Sequence, residues 1–230
     1  MNSIAIVTMT YARTRAEEEV LVRSLQVAAM LDLPVVIADR NGRPEFVEQL
    51  RCLSRSTVVA PHEEGLVGQI KVAFAAARAT SAEAFLYVEP DKELFFRVAA
   101  RRLLQRAAGQ RPGLTLAARS PESFATFPPM QQYTESVVNH LCGQVVGSVG
   151  DYSYGPFVMT RDLLPRIASL PPRLGWGWRF AVFQEAHRQA LPLVHVVEDL
   201  PCPAEQRHED DAERSHRLRQ LSENVLGLIA

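Results

Sequence analysis

The sequence predicts an α/β fold, a mostly parallel sheet flanked by helices. Short runs such as Val35-Val36-Ile37 and Ala84–Val88 are continuously apolar rather than alternating, as strands buried on both faces must be. Each run is followed by a stretch of helical spacing, the signature of strands joined by crossover helices. With 230 residues, 47% of them hydrophobic, the chain can bury a full core.

Residues 3–8 (SIAIVT) form the first predicted strand, and residues 15–31 carry apolar side chains at helical spacing. LPVVIAD is the second strand, ending at Asp39 before a turn at Asn41-Gly42, with a helix over 44–52. STVVAP is the third strand, HEEGLVGQ a loop, and IKVAFAAARA a helix. AFLYV is the fourth strand, followed by a helix over 94–108. In the second half LTLAAR is a strand, residues 120–132 a Pro- and Ser-rich loop, and residues 133–146 a helix. GDYSYGPFVMT is a polar aromatic turn running into a strand, and residues 161–170 make a short helix. Residues 175–191 form a longer helix and LVHVVEDL a strand, before a polar loop leads into a C-terminal helix. No repeat or linker interrupts the chain, so a single domain over 1–230 is expected, with a doubly wound half over 1–110 and an elaborated half over 111–230.

A net charge of -1 and a pI near 6.6 supply no broad attraction for nucleic acid or an anionic membrane. Cys52, Cys142 and Cys202 are odd in number, widely spaced and without a C-x-x-C pair, which suggests neither a disulfide framework nor a thiolate zinc site and fits a reducing compartment. The first residues show no basic region leading into a long apolar one, and no run approaches membrane-spanning length, so a cytoplasmic protein is expected. Oligomeric state is left open. All but two of the 25 basic residues are arginine; the lysines are Lys71 and Lys92.

In open α/β sheets, ligands bind beyond the carboxyl ends of the strands, where helix N-termini and loop amides converge. Glu89-Pro90-Asp91 stands at such an end. Pro90 keeps Glu89 extended, so both carboxylates can face one cleft, and hard oxygen ligands of this kind hold Mg²⁺ or Mn²⁺. The same stretch also reads as an ordinary helix start with Asp91 as its cap.

These features together resemble the GT-A glycosyltransferases, in particular the family 2-like enzymes. The shared features are a first strand with Thr8-x-Thr10-Tyr11, a second ending in Asp39, the loop Gly65 to Lys71, and an acidic E-x-D after the fourth strand. The resemblance implies a metal-dependent transferase acting on a nucleoside-diphosphate sugar and an unidentified acceptor, with a divalent cation held by Glu89 and Asp91. It places Thr8, Thr10, Tyr11 and Asp39 along the nucleoside, and Gly65 and Lys71 at ribose and diphosphate. Asp151 through Gly155 and Pro156 would border donor sugar and acceptor, with Trp176 and Trp178 stacking a sugar ring or anchoring the core. Asp151 and Glu185 are equal candidates for the general base. Arg207 would clamp the diphosphate and His208 complete the metal site. Glu replaces the first Asp of the family's acidic motif, and no Glu-Asp dipeptide stands near Glu185. A catalytically silent nucleotide-sugar-binding protein therefore remains an alternative. So does a sugar-nucleotide nucleotidyltransferase, although that chemistry expects a Gly-rich loop where this chain has TMTYARTR.

Overall fold

The computed structural model describes residues 3–109, 111 and 113–230; the expected half boundary at residue 110 lies outside the described residues. Seven strands, β1 (Ile4–Tyr11), β2 (Val35–Arg40), β3 (Ser56–Val59), β4 (Ala84–Tyr87), β5 (Leu114–Arg119), β6 (Phe157–Thr160) and β7 (Leu193–Glu198), form one sheet in the order β3-β2-β1-β4-β6-β5-β7. Neighbours pair parallel except at β6, which is antiparallel to both β4 and β5. Six strands therefore leave the sheet at one edge, and β6 enters it there.

The helices are α1 (Arg15–Ala29), α2 (Pro44–Arg51), α3 (Gly65–Arg78), α4 (Glu93–Val98), α5 (Ala100–Ala108), α6 (Pro121–Phe124), α7 (Pro129–Val146), α8 (Leu164–Ala168), α9 (Trp178–Arg188) and α10 (Asp211–Leu228). They bury both faces of the sheet, which explains the unbroken apolar runs. Ala5, Val7 and Met9 point into one core layer with Phe85, Tyr87, Phe74 and Trp178. Ile4 and Ile6 point into the other with Leu86, Val88, Leu25, Phe46 and Phe95. α10 closes the first layer by lying directly on the turn before α9: the backbones of Gly177 and Gly227 touch, and a Cβ on either would strike the other chain segment.

Four of the differences from the sequence expectation bear on the site. β1 runs on to Tyr11, so Thr8 and Thr10 lie inside a strand, fully buried, and not in a loop. Pairing with β2 continues through Thr10 opposite Asp39, and the Thr10 hydroxyl donates to the Asp39 carboxylate at 2.6 Å, which makes a polar strand end tolerable. The expected loop over 120–132 contains α6 and the start of α7. Ser120 caps α6, and Pro121 and Pro129 sit at first turns, where a missing N–H costs nothing. The expected helix over 94–108 divides at Ala99 into α4 and α5. α3 starts at Gly65 rather than at Ile70, taking the expected glycine loop into its first turn.

Candidate functional site

The strand exits at Tyr11, Arg40, Glu89 and Arg119, together with the Ser153–Tyr154 segment leading into β6, surround a cavity of about 1060 Å³. Its far wall comes from Trp176, Arg179, the segment around Glu205 to His208, and the α10 residues Glu213, His216, Arg217 and Gln220. The cavity thus lies at the carboxyl edge of the sheet, where binding sites in such folds converge.

The structure does not bear out the helix-cap reading of Asp91. α4 begins after Lys92, with no side-chain hydrogen bond capping it. The Asp91 carboxylate instead borders the cavity, where the Gln206 amide donates to it at 3.3 Å. Glu93, in the first turn, is occupied by Arg23 and Arg97 on the surface. Glu89 is buried. The Arg179 guanidinium donates to its Oε1 at 3.0 Å, while Oε2 has no hydrogen-bond partner among the described residues. Burial pushes the Glu89 carboxyl above its ordinary range, and Arg179 and Lys92 offset part of that rise. Gly155, at φ +121°, lies against this carboxylate so closely that any Cβ would overlap it.

A second ion cluster forms the wall at β5. Arg119, with 1% of its side chain exposed, donates from Nη2 to Glu135 at 2.6 Å and from Nε to Asp151 at 2.8 Å. Its guanidinium carbon lies 4.6, 4.5 and 5.4 Å from the ring centroids of Phe124, Phe127 and Tyr154. Burial opposes its charge, but Glu135 and Asp151 outweigh that and raise its pKa. Burial likewise pushes the Asp151 carboxyl up. Arg119, its backbone N–H and Asn139 overcome the effect and hold the carboxyl below the usual range. Lys92 stands over the Tyr154 ring, 5.6 Å from its centroid.

Of the residues singled out in the sequence, Tyr11, Gly65, Glu89, Asp91, Trp176 and His208 line the cavity. The others sit elsewhere, for legible reasons. Thr8 and Thr10 are sealed in β1. Asp39 turns inward, accepting from Thr10 and from the Gly42 N–H at 3.0 Å. Lys71 pairs with Glu63 at 3.1 Å. Gly155 and Pro156 back the site without lining it. Trp178 is fully buried against Tyr87, Phe74 and Phe157, so it anchors the core and offers no face to a sugar. Arg207 donates to the Cys202 carbonyl at 3.0 Å. Asp151 lies behind Arg119, beside a separate hollow of about 350 Å³ bounded by Asn139 and His140. Glu185 pairs outward with Arg188 and Gln189. Sequence reasoning missed Arg119, Glu135 and Arg179. Lys92, Ser153 and Tyr154 fall within stretches it singles out.

The oxygen donors of Glu89 and Asp91 with the exposed imidazole of His208 suit Mg²⁺ or Mn²⁺ chemically. Among the described residues no three His, Cys, Asp or Glu side chains converge tightly enough to cage an ion. Such a site would need ligand oxygens to complete it, as is usual for phosphate-bound Mg²⁺. Among the same residues no helix is long and apolar enough to cross a membrane.

No protein-family model matches the chain, and a search of curated proteins finds no match in sequence. Solved structures do match. A crystal structure of a mycobacterial protein superposes with a TM-score of 0.70 at 14% identity, covering 99% of this chain and 74% of that one. Mannosyl-3-phosphoglycerate synthase from Rubrobacter xylanophilus gives a TM-score of 0.68 at 13% identity, covering 99% and 73%. Glucosyl-3-phosphoglycerate synthase from Mycobacterium tuberculosis, in complex with Mn²⁺, uridine diphosphate and glucosyl-3-phosphoglycerate, gives 0.64 at 16% identity, covering 99% and 80%. At such identities the likeness is one of architecture: this chain has the GT-A-type fold that these glycosyltransferases share.

Proposed function

We propose that this protein is a glycosyltransferase that takes its sugar from a nucleoside-diphosphate donor with the help of a divalent cation. The observation that carries the reading is Asp91, an acidic side chain at a strand exit that is released from helix capping and faces a substrate-sized cavity. The likeness in fold to a synthase crystallised with Mn²⁺ and uridine diphosphate supports it. Tyr11, half-exposed on the rim, and the backbone around Arg40 and Gly65 border the end suited to the nucleoside; Lys92 and Asp91 border the diphosphate. Asp91, with Glu89 and His208, would hold the cation, which supplies positive charge to the leaving diphosphate.

In the transfer, the bond between the anomeric carbon and the β-phosphate oxygen breaks, its electron pair leaving on the phosphate. An acceptor hydroxyl oxygen bonds to that carbon, and its proton passes to the departing diphosphate or to water. Lys92 and the helix N-termini at this edge favour the negative charge that develops. Thermal shifts with UDP, GDP and their sugar conjugates, with and without Mn²⁺, test the donor site. At a hundredfold excess over Kd a ligand stabilises by about 2.7 kcal/mol. Asp91→Asn is expected to fold normally and lose the metal-dependent shift; retention of that shift would refute the role.

A second reading, nucleotide-sugar binding without transfer, is favoured by one observation: neither Asp151 nor Glu185 lines the cavity. Release of nucleoside diphosphate from a bound donor separates the two.

A further inference from the structure

The sheet ends at β7, which pairs with β5 alone. The Leu114 N–H donates to the Pro192 carbonyl at 2.8 Å and the Ser120 N–H to the Glu198 carbonyl at 2.9 Å, so alternate residues from Pro192 to Glu198 turn their backbone toward β5. The residues between them, Leu193, His195 and Val197, therefore turn their N–H and C=O groups outward. Among the described residues none of these outward groups has a backbone hydrogen-bond partner.

Edge strands are usually guarded by brevity, a proline, a bulge or a charge. β3, at the opposite edge, has only four residues. β7 has six, keeps register with β5 throughout, and carries no proline or charged residue from Leu193 to Val197. Val197 is 61% exposed. Gly150 packs directly on the His195 ring, which brings Val149, 98% exposed, beside the same edge. Burial lowers the His195 pKa, so its imidazole is uncharged at neutral pH. The run Leu193-Val194-His195-Val196-Val197 also reads nearly the same in both directions about His195.

We propose that β7 pairs antiparallel with β7 of a second copy of this chain, joining two sheets across a twofold axis at His195. The outward groups fix that register. His195 lies opposite His195, and Leu193 of each copy lies opposite Val197 of the other, each pair exchanging two main-chain hydrogen bonds. Val194 meets Val196 on the opposite face. Every one of these pairs is apolar or neutral, so the strand meets no like charge in its own copy. That self-match favours a second copy over an unrelated extended peptide. No β7 residue lines the functional cavity, and antiparallel pairing turns the two cavities to opposite edges of the joined sheet. Each site is complete within one chain, and the proposal stands apart from the transferase reading.

Six residues at about 3.3 Å each make a contact about 20 Å long, shorter than a standard interface, so a weak dimer with Kd of about 10–100 μM is expected. Sedimentation equilibrium over about 1–100 μM should show the 25.6 kDa chain approaching twice that mass at the upper end and dissociating on dilution. Val197→Lys, at an exposed position, should keep the wild-type Tm and raise Kd about tenfold or more, because it sets an ammonium against Leu193 of the other copy. Leu193→Cys/Val197→Cys, made with Cys52→Ser to remove the exposed native thiol, should form a covalent dimer on mild oxidation. Paired residues lie about 5.5 Å apart between Cα atoms in this register, whereas four residues along one strand span about 13 Å, too far to bridge within a chain. Should Val197→Lys lose Tm, the cross-link decides. A chain that stays at 25.6 kDa at about 100 μM, a dimer untouched by a folded Val197→Lys, or a folded cysteine variant that does not cross-link would each overturn the assignment.

Discussion

Replacing Arg179 by Met leaves Glu89 buried without its counter-charge. The two side chains are 3% and 11% exposed and their ion pair spans 3.0 Å, joining β4 to α9 through the cavity wall. Breaking a buried pair by removing one partner costs about 3–5 kcal/mol, because the surviving charge keeps its desolvation penalty. For a chain of this size, about 2–4 °C of Tm per kcal/mol gives a fall of roughly 6–20 °C. The cost must also depend on pH. Glu89 already has a raised pKa, and without Arg179 it rises further, so the folded state binds a proton that the unfolded state releases. Between the unfolded and folded pKa values stability falls as pH rises, by at most about 1.4 kcal/mol per pH unit for one group. The deficit of Arg179→Met should therefore be larger at pH 8 than at pH 5. Removing the charge as well, in Glu89→Gln/Arg179→Met, should recover most of it. Urea denaturation of the wild type, both single variants and the double variant at the two pH values measures the cycle. A deficit below about 1 kcal/mol at pH 8, or a double variant no more stable than Arg179→Met, would refute the argument.

Gly155→Ala should lower Tm and weaken nucleotide binding, through about 1–3 kcal/mol of backbone strain and overlap with Glu89; Glu89→Ala in the same chain should return part of the loss, and thermal denaturation of the pair checks it. Trp178→Ala should cost about 3–5 kcal/mol by emptying the core, while Trp176→Ala should leave Tm nearly unchanged and raise KM for the acceptor; denaturation and initial rates separate them. His195 and His216 both have pKa values lowered from 6.5 by burial, so the unfolded chain takes up protons first as pH falls. Their stabilisation is complete above 6.5 and is lost as pH drops from there toward the folded values. Tm measured across pH 5–8 should accordingly rise with pH, and the slope should flatten in His195→Phe, which keeps the ring against Tyr152.

The sheet was legible because its strands are buried on both faces, a condition that leaves continuous apolar runs. What the sequence concealed were positions where tertiary partners override local signals. Thr10 reads as a loop residue until Asp39 is seen to accept its hydroxyl across the strand pair. The Pro-rich stretch before Tyr133 reads as loop, yet prolines at first turns start two helices there. Within the site, the acidic exit of β4 was visible from its charge pattern against apolar flanks. Arg119 and Arg179 were not, because nearly every cation in the chain is arginine and nothing local distinguishes a buried guanidinium from a solvated one. Asp39, Lys71 and Glu185 show the reverse: well-placed charges in the sequence whose nearest partners, Thr10 and Gly42, Glu63, and Arg188, draw them away from the cavity.

The reversed strand β6 separates two demands that usually conflict. Other strands contribute to the cavity as they end, so lengthening their loops moves the next helix. β6 contributes as it begins, and its four residues are then clamped between β4 and β5 by Tyr87 opposite Phe157 and Leu116 opposite the same residue. The segment around Ser153 and Tyr154 is thus a wall that can be recut while the sheet behind it keeps its register. Under the function proposed above, exchanging that segment would reshape the acceptor side while leaving the cavity wall at Asp91 intact.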